Sequence, residues 1–188
     1  MLSVIIATLD SERPLLPTLS ALVPGAMDGL VSEVIVADGG SRDETAMVAD
    51  VAGCKFMVVE GPLARRLKTA AAAARAPWLL FLRPGTVLDA PWTGEATRFI
   101  RQADKDRAAV CRRGIRGQTA LREALSLVLS ALGTRPRPEQ GLLLPHTLYD
   151  LLGGHSDRAA DPETDLLRRL GRRRIVTLGC RAFASLDT

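Results

Sequence analysis

Two short stretches, ATLDSE at residues 7–12 and VADGGSRDET at 36–45, place carboxylates and hydroxyls directly after apolar runs. Asp38, at the end of such a run, can accept hydrogen bonds from a nucleobase imide or a ribose hydroxyl, and Gly39 and Gly40 let backbone approach a ligand closely. Further along, Arg65, Arg66 and Lys68 open a helical stretch, where their charge and the helix dipole together can neutralise phosphates. The same residues also have plain readings. Ser41 and Asp43 suit a turn and a helix cap, and the three basic side chains suit a solvated surface. In DPET at 161–164, Asp161 fits an N-cap and Pro162 a first helical turn. Glu163 in that stretch is a carboxylate able to take a proton.

The elements that must position these groups follow from periodicity. LSVIIATL at 2–9 is rich in β-branched residues, as expected of a strand buried on both faces of a parallel sheet. DSERPLLPTLSALVP at 10–24 repeats leucine at helical spacing after capping residues. SEVIVADGG at 32–40 is a second strand, and SRDETAMVADVAG at 41–53 a helix with a capping-box spacing from Ser41 to Glu44 and a stop at Gly53. KFMVVE, ARRLKTAAAAARA and WLLFL continue as strand, helix and strand. Alternation at this spacing predicts an α/β fold, a mostly parallel sheet with helices on both faces.

After Pro91 the pattern loosens. GEATRFIRQADKD at 94–106 and TALREALSLVLSALG at 119–133 read as helices, the second with an apolar stripe at Leu121, Leu125, Val128 and Leu132. GTRPRPEQG is a rigid loop. LLLPHTLYDLLGG predicts a short strand and helix, DPETDLLRRLG a capped helix, and RRIVTL a final strand.

With 188 residues, 47% hydrophobic and 24% charged, the chain is expected to fold as a single domain. Its start, MLSVIIATLD, lacks the basic n-region of a signal peptide, and no apolar run approaches the roughly 18–20 residues that span a bilayer. A cytoplasmic location is the expectation. Cys54, Cys111 and Cys180 are odd in number, far apart and without a CxxC pair, so they are read as reduced thiols, and with only two histidines a zinc site is not expected. The net charge of +4 and pI near 9.4 come largely from Arg112, Arg113 and Arg116 and from Arg168, Arg169, Arg172, Arg173 and Arg174. Such clusters suit anionic partners or a solvated face. Nucleic acid is not expected, because the few aromatics do not interleave with the arginines.

SVIIATLDSE followed by EVIVADGGSRDET resembles the opening of the family 2 glycosyltransferases, which have the GT-A fold. ARRLKTAAAAARAPWLLFLRPGT, RPEQGLLL, LYDLLGG and PETDLLRRLGRR are similar, in that order, to a short bacterial branch of the family. The resemblance covers essentially the whole chain. It implies a nucleotide-binding half over about residues 1–100 and an acceptor half over about 101–188. It also implies transfer of a sugar from a UDP- or GDP-linked donor to an acceptor of unknown identity, with a lipid-linked acceptor and peripheral contact with an anionic inner membrane left open by the arginine clusters.

Carried over by position, Thr8, Asp10 and Glu12 fall where the nucleoside is contacted, Asp38 where uracil or ribose is read, and Arg65 near the diphosphate. Glu139 and Gln140 fall in a loop facing the acceptor. The family's strand at WLLFL ends in an acidic motif whose aspartate holds Mg²⁺ or Mn²⁺ against the diphosphate. Here the four positions are Arg83, Pro84, Gly85 and Thr86, so the usual metal ligand is replaced by Gly85 and no metal ligand is assigned. Asp89 comes four residues too late to be the same ligand, although a loop could bring it near, which leaves Mg²⁺ or Mn²⁺ open as a cofactor. The resemblance then implies either metal-independent transfer, with Arg83 neutralising the diphosphate as a guanidinium fork, or a non-catalytic binding module. The family's glutamate-aspartate pair corresponds to Pro162 and Glu163, which makes Glu163 the implied general base. A nucleotidyltransferase would carry a glycine-rich phosphate loop after the first strand, and ATLDSERP has none.

Overall fold

A computed structural model of the protein describes residues 1–114 and 135–184. Eight strands occur among them: β1 (Leu2–Thr8), β2 (Val31–Asp38), β3 (Lys55–Val58), β4 (Trp78–Leu82), β5 (Thr86–Leu88), β6 (Ala108–Gly114), β7 (Leu142–Pro145) and β8 (Ile175–Ala184). The helices are α1 (Glu12–Met27), α2 (Thr45–Val51), α3 (Leu63–Ala73), α4 (Trp92–Gln102), α5 (His146–Leu151) and α6 (Pro162–Leu170), with 3₁₀ turns at Pro138–Gln140 and Arg172–Arg174.

The strands form one sheet in the order β3-β2-β1-β4-β7-β6-β8-β5. Pairings β1–β2, β1–β4, β2–β3 and β6–β8 are parallel, whereas β4–β7, β6–β7 and β5–β8 are antiparallel. The mostly parallel α/β sheet expected from the sequence is therefore present, with an antiparallel insertion at β7.

Because side chains alternate across a strand, each central strand feeds two cores. Val4 and Ile6 of β1 and Leu80 and Leu82 of β4 face a cluster built with Leu15 and Leu22 of α1 and Trp92 and Phe99 of α4. Ile5, Leu79 and Phe81 face the opposite cluster, with Leu67 and Ala70 of α3, Tyr149 of α5 and Leu166 of α6. Burial on both faces explains the uninterrupted apolar runs of β1 and β4. One glycine sets the spacing of α1 and α4, since a Cβ at Gly25 would lie 2.6 Å from the Trp92 ring.

Several boundaries depart from expectation for identifiable reasons. The capping box from Ser41 to Glu44 does not form. Asp43 accepts from the Thr45 backbone N–H at 3.1 Å and so stands where a cap is needed, and α2 starts at Thr45. The loop at RPEQG contains a 3₁₀ turn. Strands β5 and β6 have no counterpart in the sequence reading, and β8 runs well past Leu178. Of the arginine clusters, Arg169 is turned inward, donating to Asp165 and to the carbonyls of Leu152 and Gly154 at 2.8, 2.5 and 2.6 Å. Arg168 pairs with Asp165 at 2.7 Å. The helix read over 119–132 and Arg116 lie outside the described residues. Among the described residues no helix is long and apolar enough to cross a membrane.

Candidate functional site

The carboxyl ends of β2, β1 and β4 lie side by side, with Thr8 in register with Asp38 and Ile6 with Leu82. Strand spacing then separates the backbones at Asp38 and Arg83 by roughly 10 Å. Three loops leave this edge, and such an edge is where open α/β sheets bind ligands.

Asp38 is only 2% exposed. One carboxylate oxygen accepts from Thr8 Oγ1 at 2.8 Å and from the Ser41 hydroxyl, and the other from the backbone N–H groups of Gly40 and Ser41 at 2.8 and 2.6 Å. Burial would raise its pKa. The bonds from Ser41, Thr8 and Gly40 outweigh that and hold the carboxyl below its ordinary range, so it stays ionised. Three of these donors come from Gly40 and Ser41 and fold the loop after β2 onto Asp38, and the fourth, from Thr8, ties it to β1.

The loops after β1 and β2 are laced together. The Asp10 N–H donates to Ser41 Oγ at 2.8 Å, the Arg42 N–H to Asp10 Oδ1 at 2.8 Å, and the Glu12 N–H to Asp43 Oδ2 at 2.9 Å. Asp10 takes a left-handed backbone (φ 48°) to do so. Thr8 is buried, Asp10 exposed, and Glu12 half-buried in the first turn of α1.

Arg65 and Arg66 part company. Arg65 is exposed, with its guanidinium alongside Gly61. Arg66 crosses to the strand ends, donating from Nη1 to the Thr8 carbonyl at 2.6 Å, with its Nε buried and unpartnered. A Cβ at Gly39 would approach Arg66 Nη1 to 2.9 Å, so this glycine makes room for the guanidinium. The sequence signal for Arg66 is its helical phase. It lies beside the buried stripe of Leu67 and Ala70, one position nearer than Arg65.

At the end of β4, Arg83 joins residues far apart in the chain. Its Nε and Nη2 contact Glu163 Oε2 at 2.7 and 2.5 Å, and Nη1 donates to Glu139 Oε1 at 2.9 Å. The Glu163 side chain is 12% exposed, against 38% for Arg83 and 41% for Glu139. Burial raises the Glu163 pKa above the usual carboxylate range despite the opposing charge of Arg83, and the charges of Asp161 and Glu139 push the same way. Burial alone would lower the Arg83 pKa, but its bond and charge pairing with Glu163 hold it above the ordinary value. Glu163 is thus a carboxylate of raised basicity held against a fixed cation.

The neighbours fix this arrangement. Asp161 caps α6 through the Thr164 N–H at 3.0 Å, which seats Glu163 in its first turn. Gln140 donates from Nε2 to the Cys111 carbonyl at 2.7 Å and accepts from the Arg137 N–H at 2.8 Å, so it anchors the Glu139 loop to β6. Gly85 has φ +86°, and its N–H reaches the Pro14 carbonyl at 2.8 Å and Thr18 Oγ1 at 2.9 Å, which ties the turn after β4 to α1. Asp89 points away, accepting from the Arg181 N–H at 2.9 Å. Among the described residues no three His, Cys, Asp or Glu side chains converge as a metal site needs.

The family model described as glycosyl transferase family 2 matches residues 3–159. The chain belongs to that family. Glu163 and the rest of α6 lie just beyond the matched segment. Glucosyl-3-phosphoglycerate synthase from Mycobacterium tuberculosis, solved with Mn²⁺, UDP and glucosyl-3-phosphoglycerate, superimposes with a TM-score of 0.69 at 20% identity over 98% of this chain and 70% of that one. The same enzyme without a named ligand gives 0.70 at 18% identity, over 100% of this chain and 72% of that one. TarS of S. aureus, residues 1–349, gives 0.73 at 15% identity over 98% of this chain and 60% of that one. At these identities the likeness is one of fold, and it is the fold of glycosyltransferases. No curated protein matches the chain.

Proposed function

We propose that the protein transfers a glycosyl group from a UDP- or GDP-linked sugar to an acceptor hydroxyl without a divalent metal, with Arg83 as the cation facing the diphosphate. The observation that carries this reading is the Arg83 guanidinium held between Glu139 and Glu163 at the strand end where the family's metal-binding aspartate is Gly85. Gly85 offers no side-chain oxygen, Asp89 is bonded to β8, and a hard cation needs several oxygen ligands. Among the described residues, those at this strand end do not fit a metal.

In this scheme the edge of β1 and β2 takes the nucleoside, through Thr8, Asp10, Glu12 and Asp38, and Arg66 adds a charge there. Arg65 serves as a solvent-side charge. The diphosphate competes with Glu163 for Arg83. As its oxygens take the guanidinium, Glu163 is released next to the anomeric carbon with the raised pKa that suits a general base. The acceptor oxygen bonds to that carbon, its proton passes to Glu163, and the electron pair of the breaking C–O bond leaves with the nucleoside diphosphate beside Arg83. Glu139 holds Arg83 in position from the acceptor side, and Gln140 fixes the loop. Residues from about 101 onward supply this acceptor half. Exposed Arg112, Arg113 and Arg172–Arg174 are compatible with an anionic membrane bearing a lipid-linked acceptor.

The test is release of nucleoside diphosphate from UDP- and GDP-sugars in excess EDTA, with soluble and lipid-linked acceptor panels. Turnover in EDTA is expected. Turnover only on adding Mn²⁺ contradicts the metal-free scheme. Binding without turnover on any acceptor favours a non-catalytic binding module, a reading helped by the pairing of Arg83 with Glu139 and Glu163 and of Asp38 with four protein donors.

A further inference from the structure

Cys111 on β6 and Cys180 on β8, 69 positions apart in sequence, bring their sulfurs to 3.0 Å in the core. Both are free thiols, 5% and 0% exposed. They line one small apolar void with Leu80, Ala109, Leu143 and Leu178, so the space around the sulfurs is not filled by other side chains. Their strands are direct parallel neighbours with an irregular register after Val110. Neighbouring strands lie about 4.8 Å apart, which falls within the Cα separations that a disulfide spans.

We propose that Cys111 and Cys180 are the site of a reversible intramolecular disulfide, formed with a peroxide as oxidant and reopened by a thiol reductant. One thiolate attacks the peroxide O–O bond to give a sulfenic acid and release water. The second thiol then attacks that sulfur, its proton leaving with the hydroxyl as a second water. Two thiols are oxidised by two electrons and one peroxide is reduced to two waters. The contact with the Cys180 thiol raises the Cys111 thiol far above its ordinary range, and burial adds to this, so the reaction proceeds through local opening and is slow. Cys54 is not a competing partner. It precedes β3 at the far edge of the sheet, five strand intervals from β6, or roughly 24 Å. The Cys111 carbonyl is the acceptor for Gln140, so the bond locks the strand from which the Glu139 loop hangs.

The experiment treats the native, full-length protein with hydrogen peroxide, then unfolds it in N-ethylmaleimide and measures intact mass and tryptic peptides. The expected product carries one maleimide, on Cys54, and yields peptides 108–112 and 175–181 joined by a disulfide, while prior dithiothreitol restores three maleimides. The Cys180→Ala variant is expected to give no disulfide-linked peptide after the same peroxide treatment. Three maleimides on the oxidised protein, a cross-link through Cys54, or sulfinic acid at Cys111 without a cross-link would overturn the proposal.

Discussion

Acid is predicted to weaken the fold through one side chain beneath the site. His155 is 1% exposed, its Nδ1 lies 2.9 Å from the Tyr149 hydroxyl, and its ring meets Phe81 of β4 edge-on with centroids 4.9 Å apart. Burial, aided by the charges of Arg169 and Lys68 and opposed by Asp165, pushes its pKa down to about 3. The unfolded chain titrates near pH 6.5. Between these two values the unfolded state binds more protons, so stability is unaffected above pH 6.5 and falls as pH drops toward 3. The slope approaches ~1.4 kcal/mol per pH unit, which gives a loss of about 2–3 kcal/mol between pH 7 and 4.5. Urea denaturation of the wild type and His155→Phe at steps across that range isolates this group, because every other carboxylate and histidine is shared. Losing the Tyr149 partner lowers the variant equally at all pH values. The stability difference between the two proteins should shrink or invert by about 2–3 kcal/mol on acidification. A difference that stays flat from pH 7 to 4.5 would refute the reasoning.

Other consequences can be checked on the same purified protein. Gly85→Ala forces a side chain into φ +86° and should cost about 1–2 kcal/mol in urea denaturation, with the turn after β4 loosened from α1. Glu163→Gln removes the proposed base and the main partner of Arg83. Turnover should fall at least ~100-fold, while nucleotide affinity stays level or rises because Arg83 is less tightly held. Arg66→Ala should weaken nucleoside diphosphate binding by about 10-fold, one charge-assisted bond, and lower the melting temperature through loss of its bond to the Thr8 carbonyl.

The parallel half of the fold was legible because its strands are buried on both faces. LSVIIAT and WLLFL are continuous apolar runs that nothing else explains as simply. Strand β6 escaped because its buried part, Ala108–Cys111, is made of small residues and it exits through Arg112 and Arg113. Strand β5 has only three residues, and its pairing with β8 is set by partners nearly a hundred positions away. The placement of Thr8 and Asp38 at neighbouring strand ends was legible because each closes an apolar run. The choice of Arg66 over Arg65 depended on helical phase, which the sequence contains but which charge alone does not show. The contacts of Arg83 with Glu163 and Glu139 link residues 80 and 56 positions apart. Local patterning carries no record of such a pairing. Cys111 and Cys180, read as unrelated thiols, were separated for the same reason.

Calorimetric titration with UDP, GDP and their sugars in excess EDTA, on wild type and Arg83→Ala, tests the central claim most directly. Binding that persists in EDTA and weakens by about 10–100-fold in the variant is the predicted result, since a guanidinium–diphosphate contact is charge-assisted and bidentate. Binding that needs Mn²⁺, or is unchanged by Arg83→Ala, would contradict it.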